Sequence, residues 1–445
     1  MKIPTFGMGW VVVGMLMLLP FAVSPTQVSA QCTGSKGNNA VYAGCGLQGS
    51  TAFIDAGAFS SSGDICARIH AVLTSGYPAS GAVIDARGIR PPGGGSTQLC
   101  STNPWAGITT PSTVLLPSGT IQISVQWALP SGTRIVGEGS GAPGAGVTTV
   151  QAASGFANAA AMIKMGTATG ATGVSVEDLA LDGNGTAVSG ISNSLARDLS
   201  YVRRLSLSNI AGTGLLISSG AQNSGPYSDI NFSSTAASAV CASIQGASTS
   251  TRGIHGLTCT GNVSGTALPV AVLLDAPNNT IEDVRVSGFT DGIKLGQNLP
   301  TQGDVLSNIS GGPNVTSIIH IANAHLVSDL SVVGVAKNGA TNAINDQESL
   351  PSSSHLIADS SVAIYVLGEQ VTAQTTVIGF SRFTTSKSAN APTWATGNAA
   401  IASGTACSQP GSLYSNRNGS INGGLGHGNT WYVCQGSPST WNDVF

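Results

Sequence analysis

VEDLAL at Val176 is the first of seven similar segments that decide the fold; the others are VRRLSL at Val202, YSDINF at Tyr227, IHGLTC at Ile254, IEDVRV at Ile281, VLSNIS at Val305 and VSDLSV at Val327. Each alternates apolar and polar residues, which is the period of a half-buried strand. A second apolar segment follows most of them, as in GLLIS at Gly214, VAVLL at Val270 and IIHIA at Ile318. A strand pair that recurs about every 25 residues, with Gly, Asn and Ser between, is typical of a solenoid whose coils cover each other's apolar faces.

The spacing of the segments sets the size of a coil. Aligned on the first inward aliphatic residue, the corresponding positions are Leu179, Leu205, Ile230, Leu257, Val284, Ser307 and Leu330. They are 26, 25, 27, 27, 23 and 23 residues apart. We therefore predict an all-β fold, a right-handed, single-stranded parallel β-helix with ~23–27 residues per coil.

The sequence outside these repeats predicts four parts. Residues 1–30 have a basic start, an apolar stretch and a small-residue cleavage site, as in a secretion signal. Residues 31–60 predict an irregular lead-in, and residues 61–399 the β-helix domain, opening with a capping helix after Asp64. Residues 400–445, rich in aromatic residues, predict a small disulfide-linked β module. It either forms its own core or binds glycans.

Composition limits the compartment and the partners. The 445-residue chain has 59 glycines, 8% charged residues and a net charge of −3. Its apolar residues form no long run after the signal, so we expect no membrane association once the signal is cleaved, although a retained N-terminal anchor is the alternative. Basic residues are not clustered, which argues against nucleic acid. We expect a secreted protein, extracellular or periplasmic, whose oligomeric state the sequence does not specify.

Eight cysteines follow the signal segment, an even number that favours disulfides in an oxidising compartment. Proximity in sequence suggests four pairs: Cys32–Cys45, Cys66–Cys100, Cys241–Cys259 and Cys407–Cys434. Metal binding is the alternative, but no CxxC pair or Cys/His spacing supports it. We predict no metal site from these residues.

Several motifs resemble the pectate-lyase/polygalacturonase-like superfamily of secreted parallel β-helix proteins, and most of all its uncharacterised bacterial, pectate-lyase-related branch: GAVIDARGI at Gly81, VLLPSGTIQI at Val114, TRIVGEG at Thr133, VSVEDLALDGNG at Val174 and IEDVRVSGFTDGIKL at Ile281. The superfamily includes lyases, hydrolases, epimerases, esterases, tailspikes and adhesins, so the resemblance implies a fold and a polysaccharide partner rather than one reaction. The chain lacks the Asp-Asp pair of polygalacturonases, and Lys294 is only a faint echo of their Arg-Ile-Lys motif. A lyase is therefore favoured over a hydrolase.

The second strands carry the first set of candidate catalytic residues. If Ile293 and Leu295 point inward, Lys294 points out, and the same alternation turns His320 outward. The two are 26 residues apart, one coil, so we expect them to be neighbours with Asp291 at the nearby turn. A lysine whose charge a neighbouring histidine disfavours could take the proton α to a uronate carboxyl group. A surface lysine and histidine without a role are the alternative.

The first strands carry candidate substrate-binding residues. The position before the inward aliphatic gives Asp178, Arg204, Asp229, Gly256, Asp283 and, further on, Asp329. Such a line could serve acid/base chemistry or, with Glu177 and Glu282, hold cations. Its alternative is a corner ladder in which carboxylates accept turn amide hydrogen bonds. His255 and Arg285, on successive coils, form a third candidate pair.

Two functions compete on these grounds. One is a carbohydrate-active protein that cleaves an acidic polysaccharide by pectate-lyase-like β-elimination, with Ca²⁺ as a possible cofactor. The other is a non-catalytic, glycan-binding or adhesive surface solenoid. Candidate residues gathered in one groove favour the enzyme, and carboxylates bound by turn amides favour the binding protein.

Overall fold

The computed structural model describes residues 52–57, 63–75, 81–90, 95–141, 146–156, 161–186, 188–322 and 324–347, together with the backbone of eight later strands. The expected signal segment and the Cys32–Cys45 and Cys407–Cys434 pairings lie outside these residues. Nearly every strand pairs in parallel with the equivalent strand of the next coil, which confirms the predicted parallel β-solenoid. The disulfides Cys66–Cys100 and Cys241–Cys259 are present as predicted.

Two long sheets build the solenoid. The strands of the larger, 16-stranded sheet are Ala52–Asp55, Ala82–Asp85, Thr97–Cys100, Ser112–Leu115, Gly119–Ile123, Thr133–Val136, Thr148–Ala152, Ser175–Asp182, Tyr201–Ser208, Tyr227–Ser233, Ile254–Thr260, Thr280–Ser287, Val305–Gly311, Leu330–Lys337, His355–Ala358 and Arg382–Thr384. Those of the 11-stranded sheet are Trp127–Leu129, Ala161–Met165, Ser189–Asn193, Thr213–Ile217, Val240–Gln245, Leu268–Asp275, Phe289–Leu295, Ser317–Ile321, Asn342–Asp346, Ile364–Val366 and Glu369–Val371. We call these the large sheet and the small sheet.

Two further sheets flank them. Thr301–Gln302 pairs with Val327–Ser328 at a corner between the long sheets. The strands of a separate four-stranded sheet are Trp394–Gly397, Leu413–Asn416, Thr430–Gln435 and Thr440–Asp443. This sheet agrees with a C-terminal β module, and it includes a strand that precedes residue 400.

The helix Ile65–Leu73 forms near the N-terminus, as predicted. Asp64 caps it by accepting a hydrogen bond from the Ala67 amide at 2.9 Å. Ile69 and Val72 are buried, and the Cys66–Cys100 disulfide ties the helix to the strand Thr97–Cys100. The strand Ala52–Asp55 precedes this helix and already pairs with Ala82–Asp85. Part of the predicted lead-in is therefore sheet.

A left-handed residue bends each long strand of the large sheet. The φ angles are 56° at Asp178, 53° at Arg204, 55° at Asp229, 69° at Gly256, 56° at Asp283, 53° at Asn308 and 71° at Gly334. Asp, Asn and Gly adopt this conformation more readily than other residues, which explains why they hold most of these positions. We call this column of stacked residues the bend ladder.

The register corrects two of the predicted alignments. Val284 pairs with Ile309 and Ile309 with Val335, so Ser307 and Leu330 are not the equivalents of Val284. The offsets are two and five residues, and the left-handed residues Asn308 and Gly334 interrupt the alternation between the predicted and the observed positions, so counting by twos along the strand gives the wrong equivalents. Asp329 consequently lies at a different corner, beside Gln302, whose Nε2 donates to Asp329 Oδ2 at 2.9 Å.

Candidate functional site

The small sheet brings together the three predicted catalytic residues. Lys294 and His320 are direct register partners on adjacent strands. Asp291 Oδ2 lies 3.2 Å from Lys294 Nζ and 2.8 Å from His320 Nδ1. The side chains are 9%, 18% and 11% exposed for Asp291, Lys294 and His320. One carboxylate therefore contacts two basic groups in a largely covered cluster.

Local burial explains why Asp291 reaches Lys294. Strict alternation would place residues three apart on opposite faces of a strand. Gly292 and Ile293 are both buried, as are Ile318 and Ile319 on the next coil. Two consecutive inward residues reverse the alternation, so Asp291 and Lys294 share the outer face. Asp291 thus lies within the strand Phe289–Leu295 and not at the turn where we expected it.

The two basic groups of this cluster differ in access, since the Lys294 side chain is 18% exposed and the His320 side chain 11%. Both ring nitrogens of His320 are covered, and the Nδ1–Oδ2 contact has the distance but not the direction of a hydrogen bond. Lys294 is therefore the basic group that a substrate can reach.

The bend ladder holds the predicted line of Asp178, Arg204, Asp229 and Asp283, one per coil, with Gly256 between the last two. Arg204 Nε and Nη2 donate to the two carboxylate oxygens of Asp178. Asn308 Nδ2 donates to Asp283 Oδ1 at 3.1 Å. Neighbours on the ladder thus contact two of the three carboxylates. These residues lie on the large sheet and the Lys294 cluster on the small one.

His255 and Arg285 do not form a pair. His255 is the register partner of Glu282, and its Nδ1 lies 3.1 Å from Glu282 Oε2. Arg285 instead pairs in register with Thr258 and Ser310. The bend at Asp283 separates the two positions, because His255 precedes its ladder residue and Arg285 follows its own.

Glu177 belongs to a cluster that sequence reasoning missed. Its side chain is fully buried and accepts from Arg134 Nη2 at 3.1 Å, Arg203 Nη2 at 2.7 Å and the Tyr201 hydroxyl at 2.8 Å. Desolvation raises the pKa of Glu177, but the hydrogen bonds from Tyr201 and the arginines lower it by more, to below 4.5. The carboxylate is fully engaged by these donors, so a cation-binding role for Glu177 is not supported. Arg134 lies in an early, irregular coil, which is why the repeat alignment could not find it.

Neither a metal cluster nor an aromatic platform accompanies these residues in the described part of the chain. No group of three or more His, Cys, Asp or Glu side chains there could hold a metal ion. Trp105 and Trp127 are buried against each other, with ring centroids 5.6 Å apart, and Tyr227, Phe232 and Phe289 are also core residues. Among the described aromatic residues, Tyr201 is partly exposed and Phe53, on the first strand of the large sheet, is 45% exposed.

Comparisons with known proteins add little to this picture. No family model and no curated protein matches the chain. Among solved structures, the mannuronan C-5 epimerase AlgE4 A-module of Azotobacter vinelandii has 16% identity over 53% of this chain and 88% of its own, with a TM-score of 0.26. The AlgE6 A-module has 14% identity over 58% and 90%, TM-score 0.24. ORF18 of Geobacillus virus E2 has 13% identity over 88% and 75%, TM-score 0.36.

Identity and TM-score are low in all three cases, so the functional proposal rests on this chain's own residues. Within the described residues, no helix has the length and hydropathy of a membrane span.

Proposed function

We propose that this chain is a secreted, carbohydrate-active β-helix protein that cleaves an acidic polysaccharide by β-elimination at the Lys294 cluster. The observation that carries the proposal is the single Asp291 oxygen in contact with both Lys294 Nζ and His320 Nδ1. A lysine amine can act as a general base, and Lys294 is the more exposed of the two basic groups in contact with Asp291. An acidic glycan supplies the kind of C–H bond that such a base can break.

The elimination assigns a separate role to each side chain. The neutral amine of Lys294 removes the proton α to a uronate carboxyl group, and the freed electrons form a carbon–carbon double bond. The bond to the glycosidic oxygen breaks, and this oxygen takes a proton from water or from the protonated amine. Asp291 holds Lys294 in place through their contact at 3.2 Å, and the covered His320 contacts the same Asp291 oxygen. Both act as positioning residues.

The test measures the ultraviolet absorbance of unsaturated uronate ends during incubation with pectate, alginate and other uronate polysaccharides, with and without Ca²⁺. We expect an increase with at least one polymer. Lys294→Ala should reduce the rate at least a hundredfold, the usual size of a lost general base. The matched control is Lys164→Ala, because Lys164 occupies the same position of the small sheet on an earlier coil. Equal loss in both variants would contradict the assignment.

His320 needs a readout that a purely structural role would not change. His320→Gln keeps a polar side chain of similar size but removes the second basic group beside Asp291. We expect its pH–rate profile to change shape, because an ionisable group in contact with Asp291 is removed from the cluster. An unchanged profile with a lower rate would show that His320 only supports the fold.

A non-catalytic glycan-binding solenoid is the second candidate, and the bend ladder favours it. Neighbouring side chains bind the carboxylates of Asp178 and Asp283, as expected for a ladder that stabilises the coils. If no polymer yields unsaturated or new reducing ends, this function replaces the first. The full chain and a variant that lacks residues 400–445 would then be compared for glycan binding.

A further inference from the structure

The large sheet carries a groove that is separate from the Lys294 cluster. It has a volume of about 710 Å³, within the range of ligand-binding clefts. Its lining comes from four successive coils: Gly256 and Thr258, Asp283 and Arg285, Asn308 and Ser310, and Gly334 with Ala336. At a strand spacing of about 4.8 Å, the first and fourth coils are about 14 Å apart. The groove therefore follows the solenoid axis across several coils.

Two glycines in the bend ladder create the space. Gly256 and Gly334 occupy positions where other coils carry Asp, Asn or Arg. A Cβ at Gly256 would lie 3.2 Å from Asp229 Oδ1, and one at Gly334 3.0 Å from Asn308 Oδ1. Both neighbours are side-chain ends and both glycines have positive φ, so asparagine, which adopts this conformation at Asn308, is the least strained replacement. At these two positions glycine leaves open the space that a side chain of the bend ladder fills on the other coils.

Polar side chains along the groove have hydrogen-bonding atoms with no protein partner among the described residues. Arg285 is exposed and makes no ion pair or hydrogen bond with any of them. Asp283 uses Oδ1 to accept from Asn308, and its Oδ2 has no described partner. Hydroxyl groups of Thr258 and Ser310 flank Arg285 in register on either side. A guanidinium fork suits a carboxylate, and the remaining carboxylate and hydroxyl groups suit sugar hydroxyls.

We propose that this groove binds an oligosaccharide segment that carries a carboxylate, with Arg285 on the carboxylate and Asp283 on neighbouring hydroxyls. Arg285 and Asp283 have opposite charges and lie two residues apart on the strand Thr280–Ser287. Together they favour a ligand with an acidic and a neutral polar side. An extended glycan matches a groove that runs over four coils. The groove is a second binding site, and it does not depend on elimination at Lys294.

The test uses isothermal titration with uronate trisaccharides, among them trigalacturonate, and the neutral methyl ester of trigalacturonate as the ligand control. The double variant Gly256→Asn/Gly334→Asn fills the groove with the residue that the ladder already carries at Asn308. Arg285→Gln removes the guanidinium, and Arg252→Gln removes an exposed arginine outside the groove. Circular dichroism and thermal midpoints check that each variant is folded.

We expect the wild type and Arg252→Gln to bind a uronate trisaccharide, the methyl ester to bind at least tenfold more weakly, and Arg285→Gln to raise the dissociation constant at least tenfold. The glycine double variant should lose binding. No binding of any trisaccharide by the wild type, or binding that the filled groove does not weaken, would overturn the proposal. Titration measures binding and absorbance measures elimination, so failure of the groove and failure of the elimination are separate results.

Discussion

Replacing Asp304 by asparagine should remove a pH-dependent loss of stability. The Asp304 carboxyl group is buried at the corner before the strand Val305–Gly311 and accepts from the Asn279 amide at 2.8 Å. Its Oδ2 meets the Thr301 hydroxyl, which also lies 2.7 Å from the Ala276 carbonyl oxygen. The hydroxyl has one proton, and the carbonyl can only accept. The proton between Thr301 and Asp304 must therefore come from a neutral carboxyl group.

The size of the effect follows from the titration of this group. Burial raises the pKa of Asp304 from 3.8 to about 7. A raised pKa gives a contribution to stability that is complete below the unfolded pKa and is lost as the pH rises through the folded one. The loss accumulates between about pH 4 and about pH 7 and amounts to about 4 kcal/mol. Asparagine reproduces the neutral acid, since its amide can donate to Thr301 while its oxygen accepts from Asn279.

The assay compares denaturant midpoints of the wild type and Asp304→Asn from about pH 4 to about pH 8. The two should be similar at the acidic end, and the variant should be the more stable at the alkaline end. Asp275→Asn is the matched control. Asp275 is also fully buried, but its carboxylate accepts from the backbone amides of Gln297 and Asn298. Its amide would face donors, so this variant should lose stability over the whole range.

Either of two results would refute the reasoning about Asp304. If the difference between the wild type and Asp304→Asn stays constant over this range, the carboxyl group does not titrate there. If the variant is less stable at every pH, an ionised carboxylate is needed at this corner. Either outcome would mean that the Thr301 proton does not go to Ala276.

Three further predictions concern stability. Glu177→Gln should lower the free energy of unfolding at neutral pH by about 2–3 kcal/mol in denaturant titrations, because two half-exposed arginines lose their buried carboxylate. This difference should shrink as the pH falls from about 4.5 through the lower pKa of folded Glu177. Replacing Cys241 and Cys259 by alanine should cost about 3 kcal/mol in denaturant unfolding, as expected for a loop of this length, and equal midpoints with and without reductant would contradict it. Arg204→Asn should change the unfolding free energy by less than about 1 kcal/mol, since relief of the left-handed backbone offsets the lost pair with Asp178; a larger loss would show that the pair stabilises the coils.

Much of the solenoid could be predicted because its signals are local and repeated. Alternation marks the strands, and the recurrence near 25 residues indicates that they stack. The same recurrence correctly made Lys294 and His320 neighbours and placed Asp178, Arg204, Asp229 and Asp283 in one column. It failed at Ser307 and Leu330, because a left-handed residue interrupts the alternation between each of them and the true equivalent.

The sequence by itself determined the coil, two disulfides, the capped helix and the Lys294–His320 pairing, since each depends on a spacing along the chain. Only the tertiary structure decided which groups touch across coils. Two consecutive buried residues bring Asp291 to Lys294, an irregular early coil brings Arg134 to Glu177, and two glycines three coils apart open the groove beside Arg285. These contacts depend on the direction of each side chain and on the register between coils, and an alternating pattern specifies neither when it is interrupted.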